Sequence, residues 1–398
     1  MTKLCPKISM CGLAAFVLAA ATAPAASTLD EVFSEGKVSL ASRLRYEYGD
    51  QPGVNDSTAF TFRNRLGFTS GKFNGWSFMI EGENVHAFDP DAYNQAGLNP
   101  GGAGQVVIAD VEGTEVNQAF LAYAGESVSG KLGRQRIVVD NVRFIGDVGW
   151  RQDQQTYDAF TVSGSPTPEL KLTYGYLWQI NRIFGDARDW ESDSHFLSAG
   201  YKVGSGTLAG YAYLLDFDNA AANSSATYGA SYNGTVKIDD TTSILYRLEA
   251  ATQSDYGNSP FDYTATYYVG ELGAKFGKVT AKIGYEVLGA GNGQGFKTPL
   301  ATLHAFNGFA DLFLGTPGTG LEDFYVSVGG PIVGVNVTAF YHDFSAESGG
   351  ADYGSEIDLV VAKKFAQRFT AIAKFASFES DGFARDTDRF SVELNFAY

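Results

Sequence analysis

From Lys37 to Tyr398 hydrophobic and polar residues alternate with a period of two, in segments of about ten to thirteen residues separated by turn-forming residues. Eighteen segments are predicted as strands: 37–48, 58–70, 75–85, 115–124, 127–135, 155–164, 169–181, 193–203, 206–217, 226–238, 241–253, 264–276, 278–288, 321–330, 333–344, 353–364, 368–379 and 386–397. The connections alternate as well. Odd-numbered segments are followed by the longer ones: 49–57, 86–114, 136–154, 182–192, 218–225, 254–263, 289–320, 345–352 and 380–385. Even-numbered segments are followed by tight turns such as Gly71-Lys72-Phe73-Asn74, Asp239-Asp240 and Gly330-Pro331-Ile332. In the last segment Phe390, Val392, Leu394, Phe396 and Tyr398 share one face, and Arg389, Ser391, Glu393 and Asn395 the other. An even number of such strands, with apolar residues out and polar residues in, predicts an all-β fold: a transmembrane antiparallel up-and-down β-barrel of 18 strands. Short turns would lie at the periplasmic end and long loops outside, with both termini in the periplasm.

The N-terminal residues fit export. Lys3 and Lys7 precede an apolar run from Leu13 to Ala21, too short for the roughly 20 residues of a spanning helix. Ala23-Pro24-Ala25 then suits signal peptidase, so residues 1–25 are expected to be a cleaved signal, cut after Ala25. Residues 26–36 read as a short polar periplasmic lead, and 37–398 as the barrel. Cys5 and Cys11 both fall in the signal; Cys11 precedes the apolar core and lacks the small neighbour of a lipidated cysteine. The mature chain then has no disulfide and rests on backbone pairing and packing. Without Lys3 and Lys7 it carries 27 basic against 45 acidic residues, a formal charge of −18, which argues against nucleic acid as a partner. The 47 Gly, 22 Tyr and 30 Phe suit a barrel with aromatic girdles better than a soluble β-sandwich or solenoid.

Alternation also sorts the charged residues. Val38, Leu40, Leu44, Tyr46 and Tyr48 turn Arg43, Arg45 and Glu47 inward, and Phe60, Phe62, Leu66 and Phe68 turn Arg63 and Arg65 inward. Four guanidiniums on two adjacent strands make a positive patch able to take carboxylates in a planar, bidentate way. Arg247 with Glu249, Glu271 with Lys275, Lys282 with Glu286, Lys374 and Arg389 read as inward too. The alternative for each is a polar wall in which arginines pair with Glu47, Glu81 or Glu83. Loop 289–320 is apolar for an external loop, so it either folds into the mouth as a lid or constriction or packs on its neighbours, with a helix conceivable at 302–314. In loop 86–114 Asp89, Asp91, Asp110 and Glu112 follow no calcium-loop spacing and read as solvated acids.

One stretch carries a resemblance. Gly133-Arg134-Gln135-Arg136 closes a strand, a polar loop holds Arg143, and Trp150-Arg151-Gln152 leads into Thr156-Tyr157-Asp158. With Arg63-Asn64-Arg65-Leu66, Glu115-Val116-Asn117-Gln118, His304-Ala305-Phe306-Asn307-Gly308 and Glu356-Ile357-Asp358-Leu359, this resembles the alginate-export family of bacterial outer-membrane channels. The resemblance implies a porin-like channel in the outer membrane of a Gram-negative bacterium, with an arginine-lined constriction. Carried over by motif, Arg63, Arg65, Arg134, Arg136 and Arg151 would line it, and Asp158 would be their acidic partner. Together with Arg43, Arg45 and Arg247 from the alternation, these are the candidate pore-lining residues. The expected partners are outer-membrane lipid, a small anionic or saccharide solute, and the assembly machinery, whose client signal the terminal Tyr398 resembles. No cofactor is implied. The turn at 365–367 has no room for the periplasmic plug of dedicated exporters, so passive diffusion of carboxylates or uronate oligosaccharides is expected; the alternative is an exporter threading an anionic polysaccharide. His86, His195, His304 and His342 stand in no arrangement that identifies a catalytic site, so no enzyme is expected. A surface adhesin would need no charged lumen.

Overall fold

The computed structural model describes residues 28–398, so the expected signal 1–25, its cleavage site and both cysteines lie outside the described residues. The elements in order are α1 (Leu29–Ser34), β1 (Lys37–Asp50), β2 (Ser57–Thr69), β3 (Trp76–Ala87), β4 (Gly113–Ala124), β5 (Val128–Gln135), β6 (Thr156–Gly164), β7 (Leu170–Asn181), β8 (Trp190–Val203), β9 (Gly206–Leu215), β10 (Ser225–Lys237), β11 (Thr242–Ser254), β12 (Thr264–Phe276), β13 (Val279–Leu288), β14 (Ala290–Gly291), β15 (Gln294–Gly295), β16 (Leu321–Ile332), β17 (Val335–Ser345), β18 (Asp352–Phe365), β19 (Phe369–Ser380) and β20 (Thr387–Ala397). The pair β14–β15 is a small hairpin inside loop 289–320. The other strands form one 18-stranded antiparallel sheet, each paired with its sequence neighbours. It closes through β1 and β20, in register from Ala41 opposite Ala397 to Asp50 opposite Asp388. Closure leaves no free edge, which lipid demands because it offers no hydrogen-bond partner to an unpaired peptide group. No helix among the described residues is long and apolar enough to cross a membrane; the crossing is by strands.

The two faces of the wall follow the alternation. Leu66, Ile80, Leu132, Leu208, Leu248 and Ile357 are exposed on the outer face, whereas Arg45, Glu47, Arg63 and Glu83 are buried on the inner one. At the short-turn rim, Phe369 lies against Phe365 and Phe396, with ring centroids 5.8 and 5.1 Å away. Aromatic groups of this kind suit the boundary between lipid and water.

One local expectation, the turn at Gly330-Pro331-Ile332, is corrected, and two other segments gain detail. The segment expected as a polar lead contains α1, started by a capping box in which Thr28 and Glu31 satisfy each other's backbone donors. It docks on the first short turn: the Gly71 amide donates to the Val32 carbonyl at 2.8 Å, and Phe33 joins Phe68 and Phe78. The turn expected at Gly330-Pro331-Ile332 instead belongs to β16, where Pro331 pairs with Asn336 and Ile332 with Val335. Val333 and Gly334 make the turn, with φ of 47° and 81°, the two left-handed residues that match a tight hairpin to strand twist. The conceivable helix at 302–314 is a single 3-10 turn, Leu303–Ala305.

Loops 136–155 and 289–320 do not stand outside the barrel. They fold into it and pair with each other: the Gly146 amide donates to the Leu300 carbonyl at 2.8 Å, and the Thr302 amide to the Val142 carbonyl at 3.1 Å. Phe144, Ile145, Phe296, Leu300 and Phe313 are buried against inward-facing Tyr213, Tyr267, Phe344 and Phe378, so part of the lumen is an apolar core. Each such side chain contributes up to about 1.5–3 kcal/mol to keeping the loops inside. The lid reading of 289–320 is the one the structure takes.

Leu248 lies in the middle of β11 and is 61% exposed on the outer face. Leu248→Arg is expected to cost about 2–4 kcal/mol of folding stability in a bilayer. Denaturant titration in liposomes measures this, and unchanged stability would mean that this face does not meet lipid.

Candidate functional site

Strands β1 and β2 set Arg43 directly opposite Arg63, and like charges in that position repel. Loop 136–155 supplies what offsets this, because four consecutive peptide carbonyls at its C-terminal limb face the guanidiniums. The Gly149 carbonyl accepts from Arg43 at 3.2 Å, and the Trp150 carbonyl accepts from both Arg43 (2.9 Å) and Arg45. The Arg151 carbonyl accepts from Arg43 at 3.1 Å, and that of Gln152 from Arg63 (3.4 Å) and Arg65 (3.3 Å). Carboxylates complete the set. Arg45 binds Glu393 at 2.8 Å across the closing seam and Asp110 at 3.3 Å, and Arg65 binds Glu83. Asp110, expected as a solvated loop acid, is therefore wholly buried as a partner of Arg45, and it also accepts the Gln152 amide at 3.0 Å.

Trp150 centres this cluster. Its ring lies parallel to His304 at 3.9 Å, with the Arg45 guanidinium 4.0 Å and the Lys374 ammonium 3.7 Å from its centroid. Cations over a desolvated indole are attracted by its quadrupole. Lys374 donates to His304 Nε2 at 2.9 Å, so the imidazole proton sits on Nδ1 and is donated to Asp311 at 2.8 Å. Burial pushes His304 down to about 3, reinforced by Lys374 and opposed by Asp311. Arg151 closes the group, bound to Glu47 at 3.0 Å and Asp311 at 2.9 Å.

Three further anchors tie the loops to other walls. Arg143 is buried and donates to Glu286 on β13 at 2.8 Å and to Asn307 at 3.1 Å, while Asn307 donates to Glu286 and to Asp323 on β16. On β18, Glu356 accepts the Ala310 amide at 2.7 Å and Asp358 the Phe309 amide at 3.4 Å. Gly308 has a φ of 84°, a left-handed conformation that favours glycine, and a Cβ there would also push on the Glu356 carboxylate 2.4 Å away. Asp140 near the loop tip pairs with Arg247 on β11, which also holds Glu249. Loop 136–155 thus runs from β5 to contacts on β1, β2, β11 and β13.

The candidate residues fall into three groups. Arg43, Arg45, Arg63, Arg65 and Arg151 converge beneath the carbonyl row, with Arg45, Arg63 and Arg151 buried. Arg134 pairs with Asp158 at 2.9 Å where the loop leaves the wall, and Arg136, its side chain 48% exposed, pairs with Asp147 inside the loop. Arg247 stands on another wall. Lys282, read as inward beside Glu286, pairs with Glu271 at 2.9 Å across β12–β13, leaving Glu286 to Arg143. The candidate set omitted Trp150, His304, Lys374, Asp110 and Glu393. Trp150 and His304 were visible only inside their motifs, and only closure brings Glu393 to Arg45.

A closed antiparallel barrel with an apolar outer face, a charged inner face and two loops folded into the lumen is a porin-like outer-membrane β-barrel. The family model described as alginate export matches residues 36–283, and the chain belongs to that family of the Gram-negative outer membrane. No curated protein matches the sequence. Among solved structures it is similar to OccAB2 of Acinetobacter baumannii (TM-score 0.74, 14% identity, 92% of this chain and 99% of that one). It is also similar to OpdK of Pseudomonas aeruginosa, crystallised with vanillate (TM-score 0.73, 15% identity, 92% and 99%). A third is OccAB4 of Acinetobacter baumannii (TM-score 0.71, 13% identity, 91% and 98%). At these identities the likeness is one of fold.

A pH dependence follows from His304. The undocked imidazole takes a proton near its ordinary 6.5, the docked one only at about 3, so docking weakens as pH falls through that window, by at most about tenfold per unit. Single-channel recordings should show more frequent conductance fluctuations at pH 4.5 than at pH 7.5. His304→Gln should abolish most of the difference; an unchanged response would place the sensor elsewhere.

Proposed function

We propose that this barrel is a passive channel for small polar solutes, preferentially anionic ones such as carboxylates or uronate oligosaccharides. What carries the reading is the carbonyl row. The guanidinium of Arg63 is met there by a neutral peptide oxygen, and those of Arg43 and Arg65 divide their donors between such oxygens and the carboxylates of Glu393 and Glu83. A carboxylate brings a full negative charge and a planar, bidentate fit to the guanidinium that a neutral peptide oxygen lacks, so one arriving from solution competes favourably with a carbonyl for the same donors. Arg389 and Lys374, on the neighbouring strands β20 and β19, extend the cationic wall, where Glu47, Glu83 and Glu393 also stand, whereas Glu286, Asp323, Glu356 and Asp358 lie on β13, β16 and β18. An anion is drawn to one side of such a lumen. The vanillate crystallised with OpdK is a small carboxylate of this kind. Threading a polysaccharide is disfavoured, because loops 136–155 and 289–320 are both docked inside the lumen and would have to leave it together.

Replacing Arg63 and Arg65 by Ser should shift the reversal potential toward cations in planar bilayers. The shift should be larger at low salt, where screening is weaker, and block by uronate oligomers should weaken. A folded double variant with unchanged selectivity and block would reduce the channel to an unspecialised porin.

The long-loop end is assigned to the cell exterior and the short-turn end to the periplasm, as the rule for such barrels requires. Single cysteines at Gly53 and Gly382 should then react with an impermeant maleimide on intact cells, and those at Asn74 and Asp240 should not. The reverse pattern would invert the barrel.

A further inference from the structure

Glu83 on β3 stands directly opposite Glu115 on β4, and loop 136–155 brings Asp153 to the same place. One carboxylate oxygen from each of the three lies within 4.8 Å of the others. Two carboxylates opposed across strands repel, and a third raises the cost. Arg65 meets one oxygen of Glu83, and Arg134 is engaged by Asp158, so the positive charge at hand falls short of three carboxylates. Glu83, only 2% exposed, has its Oε1 buried without a partner. The same holds for Asn117 Oδ1, two residues beyond Glu115 in the chain, for Gln152 Oε1, next to Asp153 in the chain, and for Thr156 Oγ1, three residues after it. Buried oxygens are rarely left in this state, and that of Glu83, on a carboxylate of the cluster itself, calls for an occupant.

We propose that Glu83, Glu115 and Asp153 form a binding site for a hard divalent cation, calcium by its all-oxygen donor set, which pins the C-terminal limb of loop 136–155 to the wall. Together with Arg65 a dication balances the three carboxylates. Calcium accepts six to eight oxygens at about 2.3–2.6 Å, so uncharged oxygens and water complete the shell. The ion holds the limb that bears the carbonyl row, and its loss frees that limb.

The test uses purified full-length protein in detergent at pH 7.5, stripped with EDTA. Terbium luminescence excited through tryptophan reports binding, since Trp150 lies three residues from Asp153, and calcium titration calorimetry gives the stoichiometry. One saturable site is expected, with terbium displaced by calcium and thermal unfolding raised by it. Asp153→Asn and Glu115→Gln, each checked for the heat-modifiable mobility of a folded barrel, should weaken calcium by about tenfold or more. Asp89→Asn and Glu112→Gln, outside the cluster, should leave it unchanged. Absence of a saturable site, or binding that survives both substitutions, overturns the proposal. These readouts involve no transport, so they stand apart from the selectivity of the channel.

Discussion

The structure depends on one seam. Until β20 pairs with β1 the sheet has two edges, and a bilayer gives their peptide groups nothing to bond to. The same seam assembles half of the charged cluster. Arg45 stands opposite Glu393 and Arg43 opposite Asn395, so the residues that neutralise the first strand arrive with the last. A buried guanidinium stripped of its partner carries a penalty of about 3–5 kcal/mol. Closing the wall and filling the lumen are therefore coupled, with polar pairing inside reinforcing backbone pairing around the circumference.

The lumen is filled in two different ways. On one side loops 136–155 and 289–320 bury aromatic and aliphatic residues against inward-facing Tyr and Phe, as in the core of a soluble protein. On the other side the same loops present backbone carbonyls, Trp150 and His304 to fixed charges. Apolar packing holds the loops in place without directional preference, while the charged contacts set their register to within a hydrogen bond. Because the second set includes exchangeable peptide acceptors, the anionic solute proposed above would compete with the loop for the same donors and leave the apolar anchor untouched.

Much of the wall was legible in the sequence. Period-two alternation marked all eighteen strands to within a few residues, because one face meets lipid and the other water over most of each strand. It failed where the pleat is interrupted. A bulge between Glu81 and Gly82 leaves Asn117 unopposed on β4, and Asn117 and Gln118 both bond inward to Glu81, an arrangement strict alternation forbids. Which arginines turn inward was readable; what neutralises them was not. Asp110 and Glu393 lie 65 and 348 residues from Arg45, and only topology joins them. The motifs around Trp150, His304 and Glu356 were noticed as fragments, and their common role in docking the loops shows only in three dimensions.

The way loop 136–155 is tied down has a mechanical side. A wide barrel of hydrogen-bonded strands is stiff along each strand but easily squeezed into an ellipse. Here a single segment leaves β5 and is fastened to β1, β2, β11 and β13 by Arg43, Arg63, Asp140 and Arg143. It acts as a strut across the bore, so flattening of the barrel by lateral pressure from the surrounding lipid is carried into the position of Trp150. The calibre of the passage and the shape of the membrane around it become, through that strut, one mechanical variable.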